Sequence, residues 1–421
     1  MERTENGVDR YVTVLRIPSA KALLLANFIG HVPIGMVTVI LLLGLGQATG
    51  SYATAGLVIG VYVIASGVAA PFWGRCIDRF GAWWVLTGMA LAFLLSSAVL
   101  TVALATKGSR SLMVAAVIAA GASRPVLAGV VQTLWSRMTP SGTDIQRSAY
   151  ALHAMQLNFV WILGPLVVTG IVAIFGPVAG PAAAMAVAGA FTCAGALMVA
   201  VVWRGRGERP ARSLPSVTDG VGGASLYTRT YLGMLASVLL FEAALGSGFV
   251  TVGAFAGGAG AASATGLLVA VWFTGSIIGG AWFGMEPGER PLGRQYRWLL
   301  LALGGGYLVC AVAGAPWQLG IALFAAGMVL SPTHTVQYSV IASLAPSRSR
   351  AEGFTWLSTT SGAGGALGST LAGPVITAVE RPFAGFVLAA SCAFAAAGLA
   401  ALALGGRDPR MAGLRRRRSG R

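Results

Sequence analysis

Apolar residues run along this chain in blocks of about twenty, the length a helix needs to cross hydrocarbon. The blocks lack the alternation of half-buried strands. Twelve are readable, at 20–43, 53–74, 83–105, 111–135, 148–172, 181–203, 229–252, 262–284, 297–314, 317–344, 353–377 and 383–404. Inside a bilayer only helices and closed barrels satisfy their own backbone. The pattern therefore predicts an all-α polytopic membrane protein with twelve transmembrane helices.

Composition agrees: of 421 residues 56% are hydrophobic and 10% charged, and the mean hydropathy is +0.76. Soluble domains carry about 25% charged residues. The net charge of +16 would suggest a nucleic-acid partner if it were evenly spread. It is not. With the N-terminus in the cytoplasm, 25 of the 29 lysines and arginines fall on that side, 3 on the other, and Arg124 within a span. This positive-inside bias predicts a multi-pass protein of the cell membrane with both termini cytoplasmic. The basic loops then face anionic lipid headgroups, and no nucleic acid is needed. Arg415–Arg418 reads as a solvated anchor. The four cysteines are scattered without CxxC or Cys/His spacing, so neither a metal site nor a cofactor is expected. The first nineteen residues are polar, and the first apolar block reads as an uncleaved span.

A polar interval rich in Arg, Pro, Gly and Ser falls near the middle of the chain, which divides as 1–203, a linker at 204–228, 229–404 and a basic tail at 405–421. The two long parts resemble one another at an offset of 210, where "AGLVIGVYVIASGVAAPFWG" (55–74) lies over "TGLLVAVWFTGSIIGGAWFG" (265–284). Gly56, Leu57, Val61, Ser66 and Gly74 recur as Gly266, Leu267, Val271, Ser276 and Gly284. Parallel six-span repeats are one of the transporter designs. Two pseudo-symmetric six-helix bundles are expected.

The turn between the second and third blocks, "GRCIDRFGAWW" (74–84), interrupts the apolar pattern with Arg75, Asp78 and Arg79. Gly74 lets two helices approach closely and Gly81 permits a tight re-entry. A carboxylate such as Asp78 can accept bonds from a helix N-terminus and pair with arginine. In Gly74, Asp78, Arg79 and Gly81 the chain resembles the major facilitator superfamily, whose signature here is Gly-x-x-x-Asp-Arg-x-Gly followed by two basic residues. Ala82 and Trp83 replace that basic pair, and the second half, "GMEPGERPLGR" (284–294), keeps Gly284 but lacks the acid. The resemblance implies that Asp78 clamps the bundles shut on the cytoplasmic side, against Arg137 or the start of span 11 near Glu352. Gly164-Pro165 in span 5 matches the core of an exporter motif of the family, with Val168 and Thr169 where further glycines would stand. "GGALGSTLAGP" (364–374) supplies a small-residue seam in span 11.

Ionisable groups within spans cost about 2.5–3.5 kcal/mol each on the insertion scale and are functional candidates. At 1.5 Å per residue, Arg124 and Glu242 fall near the midplane, with His31 in span 1 and His334 in span 10. The resemblance implies that spans 1, 4, 7 and 10 line a central cavity. Each carries one of these groups, accompanied by Asn27, Gln132, Gln337 and Tyr338. On this reading Glu242 takes up a proton and Arg124 contacts an anionic or polar substrate group; the two could instead form a static pair. His153 is placed near the cytoplasmic end of span 5. Pro33, Pro125 and Pro332 are expected bending points or fixed kinks. Trp73, Trp83, Trp84, Trp135, Trp203, Trp298 and Trp317 read as interfacial anchors.

No Walker loop, HExxH or GxSxG is present, so a membrane enzyme is disfavoured; "GLGQATG" (44–50) reads as a turn. A monomeric secondary transporter of a small molecule is expected, proton-coupled and exporting. The alternatives are an importer of a small polar or anionic solute and a non-transporting receptor of the same fold.

Overall fold

The computed structural model describes residues 7–49, 52–106, 109–140, 142–205, 226–258, 265–286, 290–346, 349–381 and 383–404; among them there is no strand. The helices are α1 (Gly7–Arg16), α2 (Ala20–Thr49), α3 (Tyr52–Phe80), α4 (Ala82–Ala105), α5 (Arg110–Ser123), α6 (Leu127–Met138) and α7 (Asp144–Gly205). The second half contains α8 (Arg229–Gly258), α9 (Thr265–Met285), α10 (Leu292–Ala311), α11 (Pro316–Gly327), α12 (Leu330–Leu344), α13 (Arg350–Val379) and α14 (Phe383–Leu404). Eleven stretches are long and apolar enough to cross a membrane. The twelfth crossing is α10, whose 20 residues include Arg294 and Arg297 near its start. One bundle is built from α2 to α7 and the other from α8 to α14.

Three departures from simple spans matter. The expected fourth span is broken between α5 and α6 at Arg124, Pro125 and Val126. Proline disfavours the helical region for the residue before it, and Arg124 takes φ −58°, ψ 121°. Trp73, expected at the interface, donates its indole N–H instead to Ala122 O near that break, at 2.8 Å. The tenth span is likewise divided, at Met328 and Val329, with Pro332 in the first turn of α12, where its missing N–H is tolerated. Pro33 and Pro165, by contrast, lie within continuous helix, in α2 and in the part of α7 before Gly176. Spans five (Asp144–Gly176) and six (Val178–Gly205) are two helices joined without a loop, the chain reversing at Gly176 (φ 79°, ψ 167°). That backbone conformation suits glycine.

Further differences follow from packing. Helix α2 continues through Thr49, so most of the expected 44–50 turn is helical. The polar N-terminal stretch contains α1, whose Val14 is fully buried. Trp84, Trp298 and Trp317 are exposed, whereas Trp135 and Trp203 are buried. The linker residues 206–225 and the tail 405–421 lie outside the described residues.

Small residues bring helices to backbone contact. A Cβ added at Gly195 of α7 would run into the backbone of Gly30 in α2. One added at Gly368 of α13 would run into Ala243 O of α8, so the 364–374 seam joins these two helices. Overpacking such a contact costs about 1–3 kcal/mol. Gly368→Val is therefore expected to lower the melting temperature of the purified protein by several degrees. Gly365→Ala, whose Cβ would meet nothing within 4 Å, is expected to leave it unchanged. Equal melting temperatures for the two variants would overturn the seam assignment.

Candidate functional site

The bundles meet most firmly where α3 ends beside the start of α13. At Gly81 (φ 86°, ψ 149°) the chain turns directly into α4. A Cβ at Gly74 would run into Thr355 Oγ1, so the glycine lets α3 lie against α13. One turn further on, Asp78 reaches the first turn of α13. Its Oδ1 accepts from the backbone N–H of Ala351 at 3.2 Å and its Oδ2 from that of Glu352 at 2.9 Å. The first N–H groups of a helix have no partner within it, and the N-cap residue Ser349 makes no side-chain cap. Asp78 thus caps a helix of the other bundle, with its negative charge at the positive helix end. Arg75 Nε adds an ion pair to Glu352 Oε1 at 2.7 Å, which also accepts from Tyr227 Oη at 2.6 Å. The Arg75 side chain is 56% exposed, so that pair contributes little by itself. Both sequence-derived partners bear on Asp78: the start of α13 bonds it directly, and Arg137, stacked on Trp203 at 4.7 Å, is close enough to act on its carboxylate electrostatically. Arg79 lies exposed over Phe80.

The pseudo-equivalent contact, α9 against α7, works with opposite polarity. The aligned position of the acid, 288, lies outside the described residues. The carbonyls near the end of α9 are met by donors. Tyr11 Oη donates to Gly280 O and Ala281 O at 3.2 and 2.9 Å, Ser148 Oγ to Gly284 O at 2.6 Å, and an Arg10 guanidinium N–H to Met285 O at 2.9 Å. Arg10 also lies 3.6 Å from Asp144 at the start of α7. Burial pushes the Tyr11 phenol up to about 12 despite the nearby Arg147, so it stays a donor at physiological pH. The Arg147 guanidinium sits 3.7 Å over the Phe283 ring. Helix α1 therefore supplies much of what holds α9.

Beyond this closed face the bundles are also joined by Thr359 Oγ1 donating to Gly67 O at 3.1 Å and Asn158 Nδ2 donating to Ser331 Oγ at 2.7 Å. At that level runs a belt of polar groups. His31 Nδ1 is 2.8 Å from Asn27 O and His334 Nδ1 is 3.1 Å from Leu330 O. A carbonyl only accepts, so in both rings Nδ1 carries the hydrogen. His334 Nε2 then lies 3.2 Å from Glu242 Oε1. A lone pair facing a carboxylate would repel it. The contact therefore holds one proton, either on Nε2 or on the carboxyl. Phe241 packs against the same imidazole, with centroids 5.1 Å apart. Gln337 donates to Tyr296 Oη at 3.1 Å.

In the first bundle Arg124 projects from the helix break beside the Tyr62 phenol and His31. Among the described residues it forms no ion pair with Glu242, so the static-pair alternative does not describe this arrangement. The acid is engaged by the second bundle and the guanidinium faces neutral groups of the first. His153 lies in the first third of its span, Asp144–Gly176, and belongs to the belt. Its ring is 6.2 Å from that of His31 and 5.5 Å from that of Tyr338 in the opposite bundle, and Tyr338 is 6.2 Å from His334. His153 Nδ1 and Nε2 each lie 3.3 Å from an amide, those of Asn27 and Gln132. Tyr62, Gln156 and Asn158 also belong to the belt, although the sequence reading did not single them out. Position along one helix gives depth but not azimuth, so only the sharing of Asn27 could have exposed His153 and Gln156. The arrangement can bind an anionic group at Arg124 and store a proton between Glu242 and His334.

A sequence model described as the Major Facilitator Superfamily matches residues 23–285. No curated protein sequence matches the chain. Several solved structures share its fold. The E. coli fucose:proton symporter FucP aligns with a TM-score of 0.73 at 14% identity, covering 93% of this chain and 99% of the symporter. A bacterial homologue of the iron transporter ferroportin in an outward-facing state gives 0.71 at 14% identity, covering 91% and 97%. The human organic anion transporter MFSD10 gives 0.66 at 15% identity, covering 96% and 99%.

Losing a helix cap costs about 0.5–2 kcal/mol, and each 1.4 kcal/mol is tenfold in a two-state equilibrium. Asp78→Ala is accordingly expected to raise the population open at the closed face by about two- to thirty-fold, with membrane insertion intact. Accessibility of a cysteine placed at Thr355 to a soluble maleimide measures this. Unchanged labelling would remove Asp78 from the clamp.

Proposed function

The chain belongs to the major facilitator superfamily, and from that premise we propose that it is a proton-coupled transporter working by alternating access across the cell membrane. Transport of a small molecule, without enzymatic chemistry, follows from the family itself. Proton coupling rests on one observation, the 3.2 Å contact of Glu242 with His334, which requires a proton. Loss of that proton opposes the contact between α8 and α12, two helices of the same bundle. Proton occupancy and helix arrangement are thereby linked, as a coupled transporter needs. Arg124 is the proposed contact for the substrate, with His31 Nε2 beside it as an acceptor. The two bundles are taken as 1–203 and 229–404, and the closed face as cytoplasmic with both termini on that side. The conformation is then outward-facing, the state in which the ferroportin homologue was solved.

Export remains the direction suggested by Gly164-Pro165, where a Cβ at Gly164 would meet the backbone of Gly35. Import of an anionic solute is the second reading, and Arg124 without an acidic partner favours it. An uncompensated guanidinium at depth is costly, and an anionic substrate would offset its charge.

The coupling is tested without knowing the substrate. Spin labels at Phe80→Cys and Trp298→Cys, both exposed on the closed face, report its opening in a background lacking the native cysteines. Their distance distribution is expected to shift with pH in the otherwise unaltered protein and to lose that shift in Glu242→Gln. An unchanged pH response in Glu242→Gln excludes Glu242 as the coupling acid.

A further inference from the structure

Three imidazoles lie in the belt, and hydrogen-bond logic gives His153 a different task from His334. His153 is fully buried. Its surroundings can be read from one fixed end. Gln156 Nε2 donates to Leu24 O at 2.7 Å, which fixes the orientation of that carboxamide. Its Oε1 therefore accepts, and the Asn27 amide N–H2 is its partner. The second hydrogen of the same amide is directed at His153 Nδ1, which must carry the lone pair. The ring hydrogen then sits on Nε2 and needs an acceptor. The group at hydrogen-bond distance there is the Gln132 carboxamide, at 3.3 Å; its N–H2 would face the ring hydrogen as a second donor, so the carboxamide is turned to present Oε1 to Nε2–H. The same carboxamide is a hydrogen-bond neighbour of the Tyr338 phenol of α12.

The groups around this ring come from four helices. They are Asn27 and His31 from α2, Gln132 from α6, Gln156 from α7 itself, and Tyr338 with His334 from α12. No carboxylate faces it among the described residues, so nothing stabilises a second proton.

We propose that His153 is a positioning residue, a neutral Nε2–H imidazole that sets the Gln132 amide across the bundle interface while the transported proton stays at Glu242–His334. The chain Leu24 O, Gln156, Asn27, His153, Gln132 fixes each orientation from the one before it, with Asn27 N–H2 donating both to Gln156 Oε1 and to His153 Nδ1. It ties the first bundle to the ring of Tyr338, which also packs on Tyr150 and His334. This assignment deepens the proton-coupled reading, on which it rests for its functional arm alone.

The experiment has two arms, using full-length protein in lipid nanodiscs. In the first, nitrogen-15 NMR of labelled histidines identifies the His153 signals by their loss in His153→Gln. The expected result is the neutral Nε2–H tautomer across about pH 6 to 8. An Nδ1–H tautomer or an imidazolium in that range overturns the proposal. In the second arm the Phe80–Trp298 spin-label distances are followed against pH. His153→Gln, which keeps a donor near the Nε2 position, is expected to retain the midpoint within about 0.3 pH units, and His153→Leu to weaken closure about tenfold. Loss of the pH response in His153→Gln, as expected of Glu242→Gln, would make His153 a proton carrier and overturn the proposal. A protein with no pH response at all would defeat the coupling reading while leaving the tautomer result to stand or fall by itself.

Discussion

A helix cannot satisfy its own first N–H groups, and in α13 that deficit is met by a carboxylate from the opposite bundle. The two backbone bonds to Asp78 join α3 to α13 only while both helices keep their register at the closed face. The other features of this face serve that contact. Gly74 removes the side chain that would hold the helices apart, and Gly81 returns the chain into α4 without a loop. Because the contact is a cap and not a buried ion pair, it breaks without leaving an unpaired charge in an apolar core. A carboxylate at the end of a span can return to water. That suits a contact that must form and dissolve repeatedly.

The pseudo-symmetric partner of this contact solves the same problem by a different route. Where α3 brings an acid to the start of a helix, α9 offers the carbonyls at its end to hydroxyls and a guanidinium. The repeat at an offset of 210 preserved the close approach at Gly74 and Gly284 but not the chemistry around it. Both helix ends are complemented according to the sign of their dipole. Sequence symmetry in such folds therefore predicts where helices touch better than which atoms bind them.

Much of this was legible in the chain before its fold. Span count and the order of Gly74, Asp78 and Gly81 follow from hydropathy and from residue types with few alternative uses. Arg124 and Glu242 were legible because charge at membrane depth is expensive wherever it points. What stayed hidden depends on azimuth and on pairing. His153 looked peripheral because depth along one helix says nothing of the neighbours that other helices bring to it, here Asn27, Gln132 and Tyr338. The break at Arg124 was foreshadowed by Pro125, and the division in span ten by Pro332, which deprives the carbonyl four residues earlier, that of Met328, of its helical donor. Helix α1 escaped notice because an amphipathic segment of ten residues has no hydropathy signature of a span. Trp135 and Trp203 resembled anchors by position, yet their rings are packed inside.

Helix α1 has a practical corollary. It is covalently part of the first bundle but grips the last turns of α9 in the second through Arg10 and Tyr11. A bulky fusion placed just ahead of Gly7 would load this strap directly, biasing the conformational balance of any purified sample before a ligand is added. Comparisons between differently tagged preparations would then report on the tag as much as on the transporter.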